Sequence, residues 1–146
     1  MASVSTSIDI GTAPHRVWDL VTDLDRLGEW VTIHRELRDA APATVEEGTT
    51  FSQTLEVAGT PFDVEWTATT VEAPDHLVWE GAGPAGSRAR TSYALAAHDG
   101  GTRFTYENEF ALPGGAVGDA AGSVVASRAG KEAQASLERL KQLAEG

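Results

Sequence analysis

The chain has 146 residues, about the commonest domain size, with 41% hydrophobic and 23% charged residues, an ordinary mix for a core that needs no staples. Against 22 carboxylates stand 11 Lys and Arg, so the formal charge is −11, which argues against nucleic acid and anionic membrane surfaces as partners. Cysteine is absent, which excludes disulfides, thiolate zinc sites and a cysteine nucleophile.

The segment Ser3–Ile10 places Val4, Thr6, Ile8 and Ile10 on one face and Ser3, Ser5, Ser7 and Asp9 on the other, the pattern of a half-buried strand. Gly11-Thr12 breaks it, Pro14 suits the first position of a helix, and Thr12 is the expected cap. That helix runs to about Thr22, with Val17, Leu20 and Val21 on one face and Trp18 beside them. A second short helix is expected over Leu24–Glu29, ending near Trp30.

From there to Leu112 the period becomes two. A short strand is expected around Ile33–Asp39. Phe51, Gln53, Leu55 and Val57 alternate with polar neighbours, as do Phe62, Val64, Trp66, Ala68 and Thr70, then Leu77, Trp79 and Gly81. Ala89, Thr91, Tyr93 and Leu95 follow, and after the strong hairpin signal Asp99-Gly100-Gly101 come Phe104, Tyr106, Asn108 and Phe110. Tight turns between such strands specify an antiparallel meander, covered on its aromatic face and wet on the other. On the wet face, Arg88 and Arg90 are expected to pair with neighbouring carboxylates.

The last segment, about Ala120 to Ala144, reads as a helix. Its inward stripe comprises Val125, Ala129, Ala133, Ser136, Leu137, Leu140 and Leu143. The fold class is therefore α+β. A curved antiparallel sheet of about six to seven strands wraps a long C-terminal helix, with two small helices after the first strand, in one domain spanning residues 1–146.

The run Ala13-Pro14-His15-Arg16-Val17-Trp18-Asp19-Leu20-Val21-Thr22-Asp23, with Trp30 beyond it and Glu47-Gly48-Thr49 later, resembles the opening of the helix-grip (SRPBCC) superfamily. That superfamily comprises START domains, polyketide cyclase/dehydrase-like proteins and pollen-allergen lipid binders. The bacterial cyclase-like and ligand-binding members are the most similar, and the resemblance covers essentially the whole chain. It implies a helix-grip fold around a cavity. It says little about activity, because those residues pack helices against sheet ends, and fold alone does not fix function.

Large residues on the sheet face small ones on the helix, which plain core packing also explains. Polar residues on the same face change the balance. Gln53, Thr70, Thr91, Tyr93, Tyr106 and Asn108 point inward by parity, and burying unpartnered amides costs about 1–3 kcal/mol each. Apolar walls with a few placed polar groups suit a small-molecule pocket. The expected ligand-binding residues are Phe51, Gln53, Trp66, Trp79, Tyr93, Tyr106, Asn108, Phe110, Val125 and Ala129. Gly114, Gly115, Gly118 and Gly122, with the Gly81–Ser87 loop, are the expected rim of that pocket.

No catalytic residue is assigned. Of the four histidines, only His34 is placed to border the interior. No histidine spacing suits a metal, and no cofactor is implied. Gly81-Ala82-Gly83-Pro84-Ala85-Gly86 is followed by a strand and not a helix, so the phosphate-loop reading fails. Met1–Ile10 lacks a basic stretch followed by an apolar run, and nothing reaches about 18 consecutive apolar residues. The expected setting is therefore cytoplasmic, as monomer or homodimer. The expected function is binding of a small hydrophobic or aromatic ligand, lipid- or polyketide-like. The alternatives are a polyketide cyclase/dehydrase-type enzyme using the same cavity, in which Tyr93, Tyr106, Asn108 and Arg128 orient carbonyls, and a protein-interaction module without small-molecule ligand.

Overall fold

The computed structural model describes residues 2–57, 59–111 and 119–146, and the side chains of the last helix from Ala129 onward. Strand β1 (Ala2–Ile10) leads into helix α1 (Pro14–Val21), a 3-10 turn (Leu24–Arg26) and helix α2 (Leu27–Trp30). Six strands follow: β2 (His34–Leu37), β3 (Thr50–Val57), β4 (Thr60–Glu72), β5 (His76–Ala82), β6 (Arg88–His98) and β7 (Gly101–Ala111). A 3-10 turn (Pro84–Gly86) separates β5 from β6, and helix α3 (Asp119–Glu145) comes last. All seven strands form one antiparallel sheet in the order β1-β7-β6-β5-β4-β3-β2.

Local chemistry explains most of these boundaries. Pro14 takes the first helical position of α1, where its missing N–H costs nothing. The cap is Ala13 and not Thr12, and it makes no side-chain capping bond. Thr12 is occupied elsewhere, its carbonyl accepting a hydrogen bond from Thr102 Oγ1 at 2.7 Å. The second helix is likewise split, its first turn being 3-10. At the β6–β7 hairpin, Asp99 (φ 48°) and Gly100 (φ 80°) both take left-handed conformations between the paired residues His98 and Gly101. Two such residues give the turn whose twist matches paired strands.

The expected period-two faces hold with one exception. Between Ala68 and Thr70 the register of β4 against β5 shifts, so Ala68 pairs Trp79, Thr70 pairs Val78 and Val71 pairs Leu77. A bulge of this kind reverses which side chains face inward. Val71 therefore packs on the core opposite Leu77, while Thr70, opposite Val78, is not among the cavity-lining residues, contrary to strict alternation. Ala82, read as part of the loop after the Leu77-Trp79-Gly81 alternation, instead ends β5.

The core sits between the concave face of the sheet and the helices. Val17, Leu20 and Val21 of α1 and Trp30 of α2 are buried against it, as are Leu137 and Leu140 of α3. Phe104, Leu77 and Leu95 supply the sheet side. Helix α3 runs along β1, where Thr6 Oγ1 donates to Gln134 Oε1 at 2.9 Å and Lys141 Nζ donates to the Asp9 carbonyl at 2.8 Å. Glu145 closes that end by accepting the Gly11 N–H at 2.8 Å.

Candidate functional site

A cavity of about 410 Å³ lies between the sheet and the helices. Residues at positions i and i+2 on a strand share a face, so each strand offers a short inner row. Phe51 and Gln53 come from β3, Trp66 from β4, Trp79 from β5, Tyr93 from β6, and Tyr106, Asn108 and Phe110 from β7. Ala129 and Ala133 of α3 face them, and these small side chains keep the helix from filling the space that the rings leave. The structure thus brings together nine of the ten sequence-predicted residues at one cavity. The tenth, Val125, has its side chain outside the described residues, as does Arg128.

The cavity has two unlike walls. On β3 to β5, Phe51 stacks on Trp66 with ring centroids 6.4 Å apart and meets Trp79 edge-on at 4.9 Å. On β6 and β7, Thr91 lies directly opposite Asn108, and Tyr93 opposite Tyr106. Those four form a polar block. Thr91 Oγ1 donates to Asn108 Oδ1 at 3.3 Å. Burial raises the Tyr93 hydroxyl far above its ordinary range. Burial also pushes Tyr106 up to about 12, against the lowering effect of its hydrogen bond with Thr91. Both phenols therefore stay protonated near neutral pH and can donate a hydrogen bond.

Behind the aromatic wall runs a buried polar relay. Trp66 Nε1 donates to Gln53 Oε1 at 2.8 Å, and Gln53 Nε2 sits 2.7 Å from His34 Nδ1. Burial holds the His34 pKa below its ordinary value, with the Glu36 charge pulling the other way. Gln53 thus has a structural duty as well as a place on the cavity wall.

Helix α3 adds a third polar group. Ser136 Oγ accepts the Thr32 N–H at 3.0 Å, and the Thr32 hydroxyl donates to the Glu132 carboxylate. Glu132 lines the cavity, outside the set expected from sequence. Its spacing, three residues after Ala129 and four before Ser136, puts it at the edge of the same helical face, and that is the available signal. Trp30, read from sequence only as a packing residue, also lines the cavity, edge-on to Tyr93 at 5.9 Å. Its Nε1 has no hydrogen-bond partner among the described residues.

Of the expected rim, Gly83, Pro84 and Ser87 line the cavity, whereas Gly114, Gly115 and Gly118 lie outside the described residues, as does the surface around Gly122. Arg88 also lines the cavity and closes no ion pair among the described residues. Arg90 stands between Glu80 and Glu109 in register and likewise closes none, so the expected cross-strand pairs are not formed. Exposed long side chains gain little from such pairing. Among the described residues, no group of three or more His, Asp or Glu side chains gathers where it could hold a metal ion. Among them, too, no helix is long and apolar enough to cross a membrane.

Comparisons with known proteins agree with this fold. A family model described as polyketide cyclase/dehydrase and lipid transport matches residues 1–145. The chain is 31% identical over 107 residues to Toxin Rv0910 of Mycobacterium tuberculosis, covering 73% of this chain and 74% of that one. Among solved structures, TTHA0849 from Thermus thermophilus superimposes with a TM-score of 0.80 at 17% identity, covering 97% of this chain and 96% of that one. A START superfamily protein from Mycobacterium smegmatis gives a TM-score of 0.75 at 13% identity, covering 99% and 98%. At such identities the structural matches speak for the fold alone.

Proposed function

We propose, since the chain belongs to the polyketide cyclase/dehydrase and lipid transport family, that it binds one small, largely apolar molecule between its sheet and its last helix. The observation that carries this reading is the pairing of an aromatic wall (Phe51, Trp66, Trp79) with a polar block (Thr91, Tyr93, Tyr106, Asn108) around one cavity of about 410 Å³. An apolar body with few polar atoms complements such a space, because stacking holds the body and a handful of hydrogen bonds fix its orientation. A ligand with an oxygen acceptor suits the polar block, whose phenols remain donors.

Native mass spectrometry of the gently purified protein tests this reading. A co-purifying small molecule, or saturable one-to-one binding of a neutral apolar dye, is the expected result. Neither adduct nor saturable binding would remove the proposal.

A second reading, a cyclase- or dehydrase-type enzyme, is favoured by the two protonated phenols opposite each other in the cavity. Positioned donors can polarise a carbonyl and speed loss of a neighbouring proton. Turnover of a poly-β-ketone that disappears in Tyr106→Phe and Asn108→Ala would establish it. Binding without turnover leaves the carrier reading.

A further inference from the structure

The order of hydrogen bonds behind the aromatic wall has only one consistent assignment. An indole N–H can donate and cannot accept. Trp66 Nε1 therefore fixes which end of the Gln53 amide faces it, namely Oε1, at 2.8 Å. That leaves the amide NH₂ facing His34 Nδ1 at 2.7 Å, and Nδ1 must then be the accepting, unprotonated nitrogen. All three side chains are constrained: Gln53 and Trp66 are buried, and His34 packs closely on α2, where a Cβ at Gly28 would meet its Cδ2 at 3.3 Å.

We infer that His34 is a proton-operated latch on the Trp66 wall of the cavity, holding that wall when neutral and releasing the bound ligand on acidification. This rests on the proposed binding function and adds its regulation. A proton on Nδ1 turns that atom from acceptor to donor. The Gln53 amide then has to present Oε1 to His34, which turns its NH₂ toward Trp66 Nε1–H. Two donors now meet in a buried site, and the indole loses the bond that fixed it. The Trp66 ring, stacked on Phe51 and lining the cavity, is freed to shift, and the ligand loses a preformed wall.

The surroundings make the proton available on acidification. On its own strand His34 has Arg35 and Glu36 beside it. From β3 comes Glu56, which Arg35 neutralises at 2.7 Å. From α2 comes Glu29, neutralised by Arg26 at 2.7 Å. From α3, Glu132 is engaged by the Thr32 hydroxyl. Among the described residues this leaves Glu36, whose charge draws the proton in, while burial, the larger effect, resists it. The group thus stays neutral at neutral pH and titrates below the ordinary histidine value of 6.5.

Two measurements on the full chain test the latch. The first follows the Trp66 indole N–H resonance of ¹⁵N-labelled protein from about pH 8 down through the pH at which the His34 ring protons themselves titrate. The second measures the affinity for N-phenyl-1-naphthylamine, a neutral dye with no charge change in that range. The expected result is an indole resonance that moves with the His34 ring protons, and a dye Kd about five- to tenfold weaker at the acid end. Both responses should vanish in His34→Gln. In Trp66→Phe, His34 still titrates but the dye Kd becomes nearly pH-independent, since no donor opposes the amide turn. An indole resonance that stays put, a wild-type Kd that ignores pH, or a full pH response in His34→Gln overturns the latch. Dye that fails to bind at any pH overturns the cavity-binding reading instead, and the indole titration then decides the latch by itself.

Discussion

Gln53 and Trp66, thirteen residues apart in sequence, are joined by a 2.8 Å hydrogen bond in which a side chain 4% exposed accepts from one 7% exposed. Gln53→Leu keeps the volume roughly constant and removes the acceptor. The buried indole N–H is then orphaned, and stability should fall by about 1–3 kcal/mol in urea unfolding. Adding Trp66→Phe to that variant removes the orphan, so the double variant should lose less than the sum of the two single ones. Strict additivity would show that the bond contributes nothing.

Phe104 and Phe51 should separate packing from binding. Phe104 is fully buried in the core and is not among the cavity-lining residues. Its replacement by Ala should cost about 3–5 kcal/mol. Phe51 is only half-buried and faces the cavity, so Phe51→Ala should cost clearly less stability and chiefly weaken dye affinity. Equal stability losses in the two variants would contradict this division.

Gly81 is the backing plate of the aromatic wall. A Cβ there would stand 2.8 Å from Trp66 Cε3 and Val64 Cγ1, so something must move. Gly81→Ala should push the Trp66 ring toward the cavity, with about 1–3 kcal/mol lost to overpacking. Large ligands should then be excluded before small ones. A series of dyes of increasing ring count, measured by fluorescence titration, reads this directly. Unchanged affinity across the series would mean that the ring yields elsewhere.

Glu145 predicts an acid-side response. Its carboxyl is held below the ordinary value of 4.5, first by its bond with Lys141 and then by the Gly11 N–H. The unfolded chain therefore binds this proton more readily than the folded one. The stabilisation is complete above about pH 4.5 and is lost as pH falls through the lowered folded value. Unfolding curves collected across that acid range should show Glu145→Gln with a shallower pH dependence than the parent chain. Parallel curves would remove Glu145 from the list of acid-sensitive contacts.

The sheet side of the site is legible in the sequence because strand parity is a local property. Trp66, Tyr106 and Asn108 reach the cavity wherever alternation runs unbroken. Strict alternation misplaces Thr70 because the register shift after Ala68 leaves no clear mark in Thr67-Ala68-Thr69-Thr70. Glu132 escapes sequence reasoning for a different reason. Helical spacing gives the face of α3, but only tertiary packing shows how far the flank of that face reaches, and Thr32 lies a hundred residues away. His34 is recognisable as bordering the interior, yet its role depends on the β2–β3 pairing that sets it near Gln53. Arg90, in register with Glu80 and Glu109 yet bonded to neither, shows that opposite charges in register need not meet.

The two ends of the sheet carry a last consequence. At one end β1 has its outer side occupied by α3, with Lys141 capping the Asp9 carbonyl. At the other, β2 is only 4 residues long, irregular between His34 and Glu36, and charged at Arg35 and Glu36. An unprotected strand border invites further strands to add from other molecules, and short, kinked or charged borders resist this. The same short strand that holds His34 against the cavity wall therefore also guards the molecule against growing into a polymer.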